Sequence, residues 1–539
     1  METNCRKICK KLTKEECDKN EKCKYTNGIK RKYCRLRYNK MDENCNRKQT
    51  QKFKKTGTIR LTKKQREKML IIKEKMERAQ AREAEIREAQ AREAETKRAK
   101  LSAEKKTKAR KIIGRFMKKT KHRRKAMFLR AVCLDSGVCL AFGTYSNEIK
   151  KHFGGFANFE YATAPIKRIG SPSANGFINE IQYDHRGYKA YAVLKSSVKP
   201  NSDNLMYEYM VGQYVNKLNK RFPCFVETYG YYIYDDKMKV NDKGVWEFLK
   251  NSKITANMDT IKKGLILQKT TDYAKACKKS KFLAILIQHL KGIVPIRDRF
   301  RSPRFVTYEL ANVLFQIYMP FAVIASSFTH YDLHHENVNV YEPEKDSYIQ
   351  FHYYGKDQQI SFKSKYIAKV IDYGRSYFKD EEAGITSKKI YTELCKEEKC
   401  IPRCGSDKGF SWMADYKYSP ESYWISSQRR NASHDLRLLN EVKIGIQKNQ
   451  TEQYLSSGLK KLLQDVKYDK HYGTPEMQVS GYPNKIHHII DAAFRLKNIL
   501  SLPEQIQQNE DVYRGKTKLG DLHIYCVKGD TRPMRFVKA

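Results

Sequence analysis

Alternating apolar and polar residues in the middle of the chain predict strands, and apolar residues at helical spacing between them predict helices. The clearest elements are a helix at Asp203–Leu218 and strands at Tyr188–Ser196, Phe282–Leu290 and Val338–Tyr341. A further run of alternating apolar residues ends at Asp372. The pattern becomes regular only after Met127, so we predict a globular region from about Ala126 to about Pro503.

The region before this one has a different pattern, because no proline or glycine occurs between Leu61 and Lys111. It is rich in strong helix formers, and the string AQAREAE occurs twice, from Ala79 and from Ala89. Its large apolar residues form no sustained heptad, which favours a single solvated helix over a coiled coil. We therefore predict a basic linker and a long charged helix over residues 49–125.

Cysteines are concentrated at the start of the chain, where six of the 14 lie within the first 45 residues. They are Cys5, Cys9, Cys17, Cys23, Cys34 and Cys45. This lysine-rich module, residues 1–48, can bury little apolar surface, so cross-links or a metal would be needed to hold it together. No pair has the two-residue spacing of most zinc modules, which favours disulfides, with free thiols and zinc as the alternatives.

The net charge of +47 is extreme and predicts attraction to acidic or phosphate-rich partners. The basic N-terminal region is suited to contact a polyanion or nucleic acid, but no helix-turn-helix or finger spacing predicts site-specific recognition. No apolar run reaches the roughly 18 uncharged residues of a membrane helix, and the N terminus lacks the apolar stretch of a signal peptide. We therefore expect no membrane insertion and a soluble intracellular protein.

Candidate chemistry is concentrated in Phe328–Val340, FTHYDLHHENVNV. Asp332 is followed five residues later by Asn337, which places two oxygen ligands on one short loop. A phosphoryl-transfer site needs one such group near the attacking hydroxyl and another on a metal ion. Asp372, at the end of a strand and just before a flexible glycine, suits a second metal ligand. Lys195, on an upstream strand with apolar neighbours, suits phosphate oxygens.

These segments resemble the protein-kinase superfamily. HYDLHHEN is similar to the catalytic loop His-Arg-Asp-Leu-Lys-Pro-Glu-Asn, IDYG to the Asp-Phe-Gly element, and AVLK to the Val-Ala-Ile-Lys strand. The resemblance implies an α+β, bilobal protein-kinase-like fold, preceded by the cysteine-rich module and the charged helix. A small β-rich N-lobe with its preceding segment would occupy residues 126–290 and a larger helical C-lobe 291–503. A basic C-terminal tail, 504–539, would contain one strand, Leu522–Val527.

The same resemblance implies an enzyme that binds ATP and Mg2+. Asp332 would orient the attacking hydroxyl and accept its proton, Asn337 and Asp372 would hold Mg2+, and Lys195 would hold the α- and β-phosphates. His330 would be structural, with a bond near the backbone of Asp372. The other implied contacts are Glu208 with Lys195, the backbone near Gln288, His289 and Leu290 with adenine, Ser419-Pro420-Glu421 closing the activation segment, and Asp435 bracing the catalytic loop.

Several positions depart from the family pattern. Only Gly170 and Gly176 represent the three glycines of the phosphate-binding loop, and their spacing is one residue too long. Tyr331 replaces the Arg that binds a phosphorylated activation segment, so activation by that contact is not expected. We expect Tyr331 and His335 on the loop surface. His334 replaces the Lys that usually touches the γ-phosphate.

Two insertions and the general character of the chain add further expectations. About 35 residues separate Asn337 from Asp372, which implies an enlarged hairpin. The long activation segment carries Cys395, Cys400 and Cys404, which we expect to be unbound thiols rather than metal ligands. A divergent kinase core behind a small basic cysteine module resembles serine/threonine kinases of large cytoplasmic DNA viruses, which implies the host cytoplasm or the virion as the location.

Three functions are open at this point. The first is a serine/threonine protein kinase that phosphorylates protein substrates with ATP. The second is a small-molecule kinase, because Asp332–Asn337 also resembles aminoglycoside- and choline-type phosphotransferases, although Pro420-Glu421 followed by Asp435 favours a protein kinase. The third is a catalytically weak pseudokinase acting as a virion or scaffold component. The altered glycine loop and His334 favour this third function, and the retained oxygen ligands oppose it.

Overall fold

The computed structural model divides the chain into two compact units, Met1–Gly114 and Arg115–Ala539. In the first unit it describes residues 23–27 and 32–36; in the second it describes residues 129–235, 262–268, 283–390, 427–468 and 486–539, with short gaps at 130–132, 135–136, 138, 141, 170–175, 198–202, 357 and 467. The first unit contains the antiparallel strands β1 (Cys23–Asn27) and β2 (Lys32–Leu36). The predicted cross-links of the N-terminal cysteines and the long charged helix lie outside the described residues.

A curled six-stranded antiparallel sheet forms the N-terminal part of the second unit. Its strands, in spatial order, are β3 (Ala162–Ile169), β4 (Gly176–His185), β5 (Tyr188–Ser197), β8 (Leu283–His289), β6 (Thr228–Tyr234) and β7 (Leu265–Leu267). Helix α1 (Tyr145–His152) precedes the sheet, and α2 (Asp203–Asn219) follows β5. Strands β5 and β8 and helix α2 confirm the elements predicted there, to within one residue at each end.

Helices follow in the C-terminal part of the second unit. They are α3 (Pro303–Tyr308), α4 (Leu310–Val323), α5 (Arg437–Lys448), α6 (Ser457–Asp465), α7 (Ile489–Leu500) and α8 (Pro503–Val512). Helix α4 is almost entirely apolar and buried, and it packs along α7 in the main hydrophobic core. The mixed α+β content and the curled antiparallel sheet are consistent with a kinase-like fold.

Short strands position the loops that carry the candidate chemistry. They are β9 (Val294–Pro295), β10 (Phe328–Thr329), β11 (Val338–Tyr341), β14 (Ile367–Val370), β15 (Tyr377–Asp380) and β16 (Ile385–Thr386). Strand β11 confirms the predicted strand and pairs antiparallel with β14, with Val338 opposite Val370. Asn337 directly precedes β11 and Asp372 lies two residues after β14, so this pairing brings both residues to the same end of the ladder.

The insertion between Asn337 and Asp372 contains the predicted hairpin. Its strands β12 (Ser347–Tyr354) and β13 (Gln359–Ser364) pair antiparallel. The segment between β11 and β14 is therefore an ordered addition to the fold rather than an irregular loop.

Residues 504–539, which the sequence suggested as a tail, complete a second sheet. Strand β17 (Thr517–Tyr525) pairs in parallel with β12, and β18 (Arg535–Lys538) pairs antiparallel with β17, in the order β13-β12-β17-β18. Alternate residues of these strands, among them Leu522 and Phe536, are buried in the main core. This segment is thus part of the folded unit, and the predicted strand Leu522–Val527 overlaps β17.

Cysteine pairing in the second unit was not anticipated from the sequence. A disulfide joins Cys133 and Cys139 ahead of α1, whereas Cys224 and Cys526 are buried free thiols. None of the helices within the described ranges has the length and apolar character needed to cross a membrane.

Candidate active site

Lys195 lies in a cluster of opposite charges between the six-stranded sheet and the segment after β14. Its Nζ is 2.6 Å from Glu208 Oε2 and 3.2 Å from Asp372 Oδ1. The lysine comes from β5 and the glutamate from α2, where its side chain is buried, while the Asp372 side chain is 44% exposed towards the cleft. Lys195 therefore contacts both Glu208, 13 residues further along the chain, and Asp372, 177 residues further along.

The charges of this cluster follow from its geometry. Burial lowers the pKa of Lys195, but the carboxylates of Asp372 and Glu208 outweigh burial and hold the pKa above its usual value. Burial likewise raises the pKa of Asp372, and Lys195 outweighs it, so that the net shift is downward. A distance of 2.6 Å to Glu208 is typical of a charge-assisted hydrogen bond. Burial raises the pKa of Glu208 to about 7. Lys195 is therefore an ammonium oriented by the ionised Asp372 and by the buried Glu208.

The carboxylate of Asp332 is held by arginines that sequence analysis did not identify. Arg437 Nη1 donates to its Oδ1 at 2.8 Å, Arg375 Nε lies 3.9 Å from Oδ2, and His334 Nε2 lies 3.7 Å from Oδ1. Burial raises the pKa of Asp332, but Arg375 and the other basic neighbours outweigh it and lower the pKa to about 2. A fully ionised carboxylate of such low basicity is better suited to orient a hydroxyl than to remove its proton early.

Arg437 is itself fixed by a second contact. Its Nε donates to Glu441 Oε1 at 2.8 Å, one turn along α5, and Glu441 also accepts a hydrogen bond from the backbone N–H of His335 at 3.1 Å. The spacing of Arg437 and Glu441 could have indicated their pairing on a helix. Nothing in the sequence indicates that this arginine meets Asp332, since that contact depends on how α5 packs under the loop.

The backbone of the loop is braced from two sides. Asp435 accepts hydrogen bonds from the N–H groups of His330, at 2.7 Å, and Tyr331, at 2.9 Å. His330 Nε2 lies 3.1 Å from the carbonyl oxygen of Ile371, directly before Asp372. Burial lowers the pKa of His330 to about 4, so the imidazole is neutral at pH 7. These bonds tie the loop with Asp332 to the segment with Asp372.

Asn337 is oriented so that its amide oxygen can serve as a ligand. Its side-chain Nδ2 donates to the backbone carbonyl oxygen of Asp332 at 2.9 Å. The backbone carbonyl oxygen of Asn337 accepts a hydrogen bond from the backbone N–H of Ile371 at 3.0 Å. The described residues contain no cluster of three His, Cys, Asp or Glu side chains suited to a metal. An amide oxygen with the Asp372 carboxylate fits Mg2+, which takes few protein ligands and completes its shell with phosphates and water.

Tyr331 is fully buried, so the prediction that it lies on the loop surface is wrong. Its hydroxyl donates to the carbonyl oxygen of Arg429 at 2.7 Å, and its ring packs against His434. The backbone of Tyr331 has a positive φ of +63°. Asp372 has a φ of +67°. Such strained non-glycine residues are concentrated at functional sites.

The two histidines after Asp332 have different environments. His335, also expected on the surface, is half-buried, with its Nδ1 2.7 Å from Glu441. Burial lowers the pKa of His334, which favours the neutral imidazole at pH 7. The position that usually carries a lysine therefore carries no fixed positive charge, as its sequence suggested.

The residues predicted to meet adenine lie at the end of β8. The backbone N–H of Gln288 donates to Glu227 O at 2.7 Å, so it is used within the protein. His289 Nε2 lies 3.2 Å from Glu180 Oε2 on β4, and Leu290 lies one residue beyond the strand. Adenine recognition by the backbone near Gln288, His289 and Leu290 stays a prediction.

The glycine loop connects β3 and β4. Gly170 lies outside the described residues, and Gly176 is the first residue of β4. A Cβ at Gly176 would lie 2.2 Å from the carbonyl oxygen of Ser196, so glycine is needed here for the close approach of β5. This requirement explains Gly176 without a phosphate, and its role in phosphate binding stays a prediction.

The start of the activation segment is fixed to α2. Tyr207 OH donates to the carbonyl oxygen of Ser376 at 2.6 Å, and Lys217 Nζ lies 3.0 Å from Asp380. These contacts hold the helix that carries Glu208 against the segment after Asp372. The predicted closing motif Ser419-Pro420-Glu421 and the three nearby cysteines lie outside the described residues.

Comparisons with known proteins establish no family for this chain. No family model matches the sequence, and no curated protein matches it. Solved structures do match, among them the crystal structure of a kinase domain at 16% sequence identity and a TM-score of 0.24. That match covers 43% of this chain and 56% of the kinase domain, so the chain spans little more than half of the length of the domain it matches. The proposed function therefore rests on the geometry around Lys195, Asp332 and Asp372.

Proposed function

We propose that the second unit is a bilobal protein-kinase-like domain that transfers the terminal phosphoryl group of ATP to a hydroxyl. The observation that carries this proposal is the contact of Lys195 with both Glu208 and Asp372. An ammonium held between the buried Glu208 and the half-exposed Asp372 provides a phosphate-binding cation next to a metal ligand. The ionised Asp332 on the adjacent loop supplies the third part of the machinery.

Each residue has one task in this proposal. Lys195 binds the α- and β-phosphates, and Asn337 and Asp372 are the residues that would hold Mg2+, which neutralises phosphate charge when bound. Asp332 accepts a hydrogen bond from the substrate hydroxyl and aims its oxygen at the γ-phosphorus, in line with the leaving group. His330 and Asp435 position the loop.

The reaction step balances without any further reactant. The hydroxyl oxygen forms a bond to the γ-phosphorus while the bond from this phosphorus to the β,γ-bridging oxygen breaks, which releases ADP. The hydroxyl proton passes to Asp332. Because the pKa of Asp332 is about 2, we place this proton transfer late, as expected for a loose transition state in which the hydroxyl gains acidity only as its bond to phosphorus forms.

Serine/threonine residues of proteins are the proposed acceptors. This part rests on the sequence resemblance around Pro420-Glu421 and on Asp435, whose two backbone contacts support the protein-kinase side of that resemblance. Kinship to viral kinases and the location in a host cell or virion stay predictions from the sequence.

The test is incubation of the purified full chain with γ-labelled ATP, Mg2+ and casein or myelin basic protein, with a panel of small-molecule acceptors in parallel. We expect label on protein serine or threonine in the wild type and none in Asp372→Ala. Label on a small molecule alone would indicate the phosphotransferase alternative. Absence of transfer to every acceptor would support the pseudokinase, and label that persists in Asp372→Ala would reject the site.

A further inference from the structure

A second concave site lies apart from Lys195 and Asp332, where the segment after β9, the inserted hairpin and the C-terminal segment meet. The cavity has a volume of about 510 Å³. Five cationic side chains line it, Arg299, Arg304, Lys345, Lys365 and Lys516, together with the carboxylates Glu342 and Asp346. Five cations against two carboxylates leave an excess of three positive charges in this cavity, which we call the basic cavity.

Both carboxylates of the basic cavity already have a cation. Glu342 Oε1 lies 3.4 Å from Lys365 Nζ, and Asp346 Oδ1 lies 2.7 Å from Lys516 Nζ. The hydrogen bond from Lys516 lowers the pKa of Asp346, so this carboxylate is ionised and paired with Lys516. The excess charge therefore lies on the other three basic residues.

Those three residues form no ion pair within the described parts of the chain, although Asp346 lies near enough to Lys345 and Arg304 for their charges to lower its pKa. Arg299, Arg304 and Lys345 have no carboxylate there within ion-pair distance. The Nε of Arg299 is buried, and no described residue accepts a hydrogen bond from it. Its guanidinium carbon lies 5.4 Å from the centre of the Tyr366 ring, which holds the group in place. A buried donor without an acceptor is destabilising and calls for an explanation.

We propose that the basic cavity binds a small, multiply phosphorylated anion. Its volume is within the range of small-molecule sites, roughly 300–1,000 Å³, whereas a nucleic-acid strand needs an extended groove. The guanidinium groups of Arg299 and Arg304 match the oxygens of a phosphate. Because the cations come from three segments around one concavity, a ligand with two or more phosphate groups satisfies them better than a single phosphate.

The origin of the lining residues adds to this proposal. Lys345 precedes β12, Lys365 follows β13, and Lys516 precedes β17. The hairpin and the C-terminal segment therefore contribute most of the basic cavity, and neither takes part in the candidate active site. A ligand bound in the basic cavity would contact the inserted hairpin, the C-terminal segment and the segment that follows β9 at the same time.

The experiment is isothermal titration of the full chain with inositol hexakisphosphate and, separately, with inorganic pyrophosphate, at constant ionic strength. The test variant is Arg299→Gln/Arg304→Gln. The control variant, Lys448→Gln/Lys528→Gln, removes the same net charge from two exposed positions. Lys195→Met is included because pyrophosphate could also bind in the active-site cleft. If the double variant does not fold, the single variant Arg304→Gln, at an exposed residue, replaces it as the test variant.

We expect at least one of the two probes to bind wild type, control and Lys195→Met with similar affinity, and about 100-fold more weakly to the double variant, as two charge-assisted hydrogen bonds are lost. Equal weakening in the control would show attraction to net charge only and overturn the proposal. So would unchanged binding in Arg304→Gln and the double variant, or absence of binding by both probes. Because the readout is binding in Lys195→Met, failure of the proposed kinase activity leaves this test intact.

Discussion

The candidate active site and the basic cavity contain similar charged groups in opposite arrangements. In the active site each basic residue contacts a carboxylate, as Lys195 does with Glu208 and Arg437 with Asp332. In the basic cavity the buried Nε of Arg299 has no acceptor among the described residues. A paired cation is fixed in one geometry and can orient reacting groups, whereas an unmatched cation keeps its capacity to bind an anion. The paired charges of the active site therefore suit the positioning of reacting groups, and the unmatched charges of the basic cavity suit the binding of an anion.

The largest effect is expected at the most tightly paired cation. Lys195→Met removes the phosphate-binding ammonium and should lower kcat/KM by about 100- to 1,000-fold, the usual effect of losing a preorganised charge. It should also lower the free energy of unfolding by about 1–3 kcal/mol, since Glu208 is left buried without its partner. Steady-state kinetics and urea denaturation measure the two effects.

The matched control is Lys189→Met, the same change at an exposed residue of β5. It should change neither kcat/KM nor stability measurably. Equal losses in both variants would mean that β5 is simply intolerant of methionine, and the contrast between paired and unmatched cations would fail.

A smaller effect is expected for Arg437→Gln, with a specific dependence on pH. Misplacement of Asp332 should lower kcat by on the order of 10- to 100-fold. Because the pKa of Asp332 is depressed to about 2 from 3.8, its ionisation stabilises the fold above pH 4, and this stabilisation is lost as the pH falls towards 2. Without Arg437 the pKa rises, so the acid limb of kcat/KM should move to higher pH.

The pH profile distinguishes this prediction from general damage. An acid limb that stays in place in Arg437→Gln, with a uniformly lower rate, would show that Arg437 does not set the charge of Asp332. Lys443→Gln, on the same helix and without an ion pair to Asp332, should reproduce the wild-type profile.

A still smaller effect is expected for Tyr331→Phe. The change removes one hydrogen bond to Arg429, worth about 1 kcal/mol of unfolding free energy, and should lower kcat/KM less than tenfold. Tyr454→Phe, at an exposed residue, is the control. Since Tyr331 places an uncharged side chain where the catalytic loop that this segment resembles has an arginine, phosphatase treatment should leave wild-type activity nearly unchanged. A large loss on dephosphorylation would contradict this assignment.

The smallest effect on the active site is expected from the basic cavity. Arg304→Gln removes an exposed, unmatched charge and should change stability by less than about 0.5 kcal/mol and leave kcat/KM for a peptide substrate at the wild-type value. A loss of stability comparable to that of Lys195→Met would show that Arg304 has a structural partner, and the comparison of the two regions would break down.

Sequence patterns predicted the two regions unequally. The active-site residues lie in short contiguous motifs, so the types and order of Lys195, Asp332, Asn337 and Asp372 could be read without a structure. Arg437 could not, because its contact with Asp332 depends on packing across about 105 residues of sequence. The basic cavity has no motif at all, since its residues come from segments that are far apart in the sequence and meet only in the folded chain.

The same reasoning explains the differences in the fold. The strands β5, β8 and β11 have regular apolar patterns and were predicted closely. Residues 504–539 suggested a tail because they are polar and carry a net positive charge, with seven Lys and Arg against five Asp and Glu. Period-two burial in β17 is visible only once β12 lies beside it. Burial of Tyr331 depends on its contacts with Arg429 and His434, which lie far along the chain and give no signal at Tyr331 in the sequence.

The most direct test of the central claim is calorimetric titration of ATP, with and without Mg2+, into wild type, Asp372→Asn and Asp332→Asn. If Asp372 is a metal ligand and Asp332 acts only on the hydroxyl, Asp332→Asn binds ATP as the wild type does, including its Mg2+ dependence, but transfers no phosphate. Asp372→Asn should lose the Mg2+-dependent part of the affinity. Wild-type Mg2+-dependent binding in Asp372→Asn, or loss of ATP binding in Asp332→Asn with the fold intact, would contradict the account.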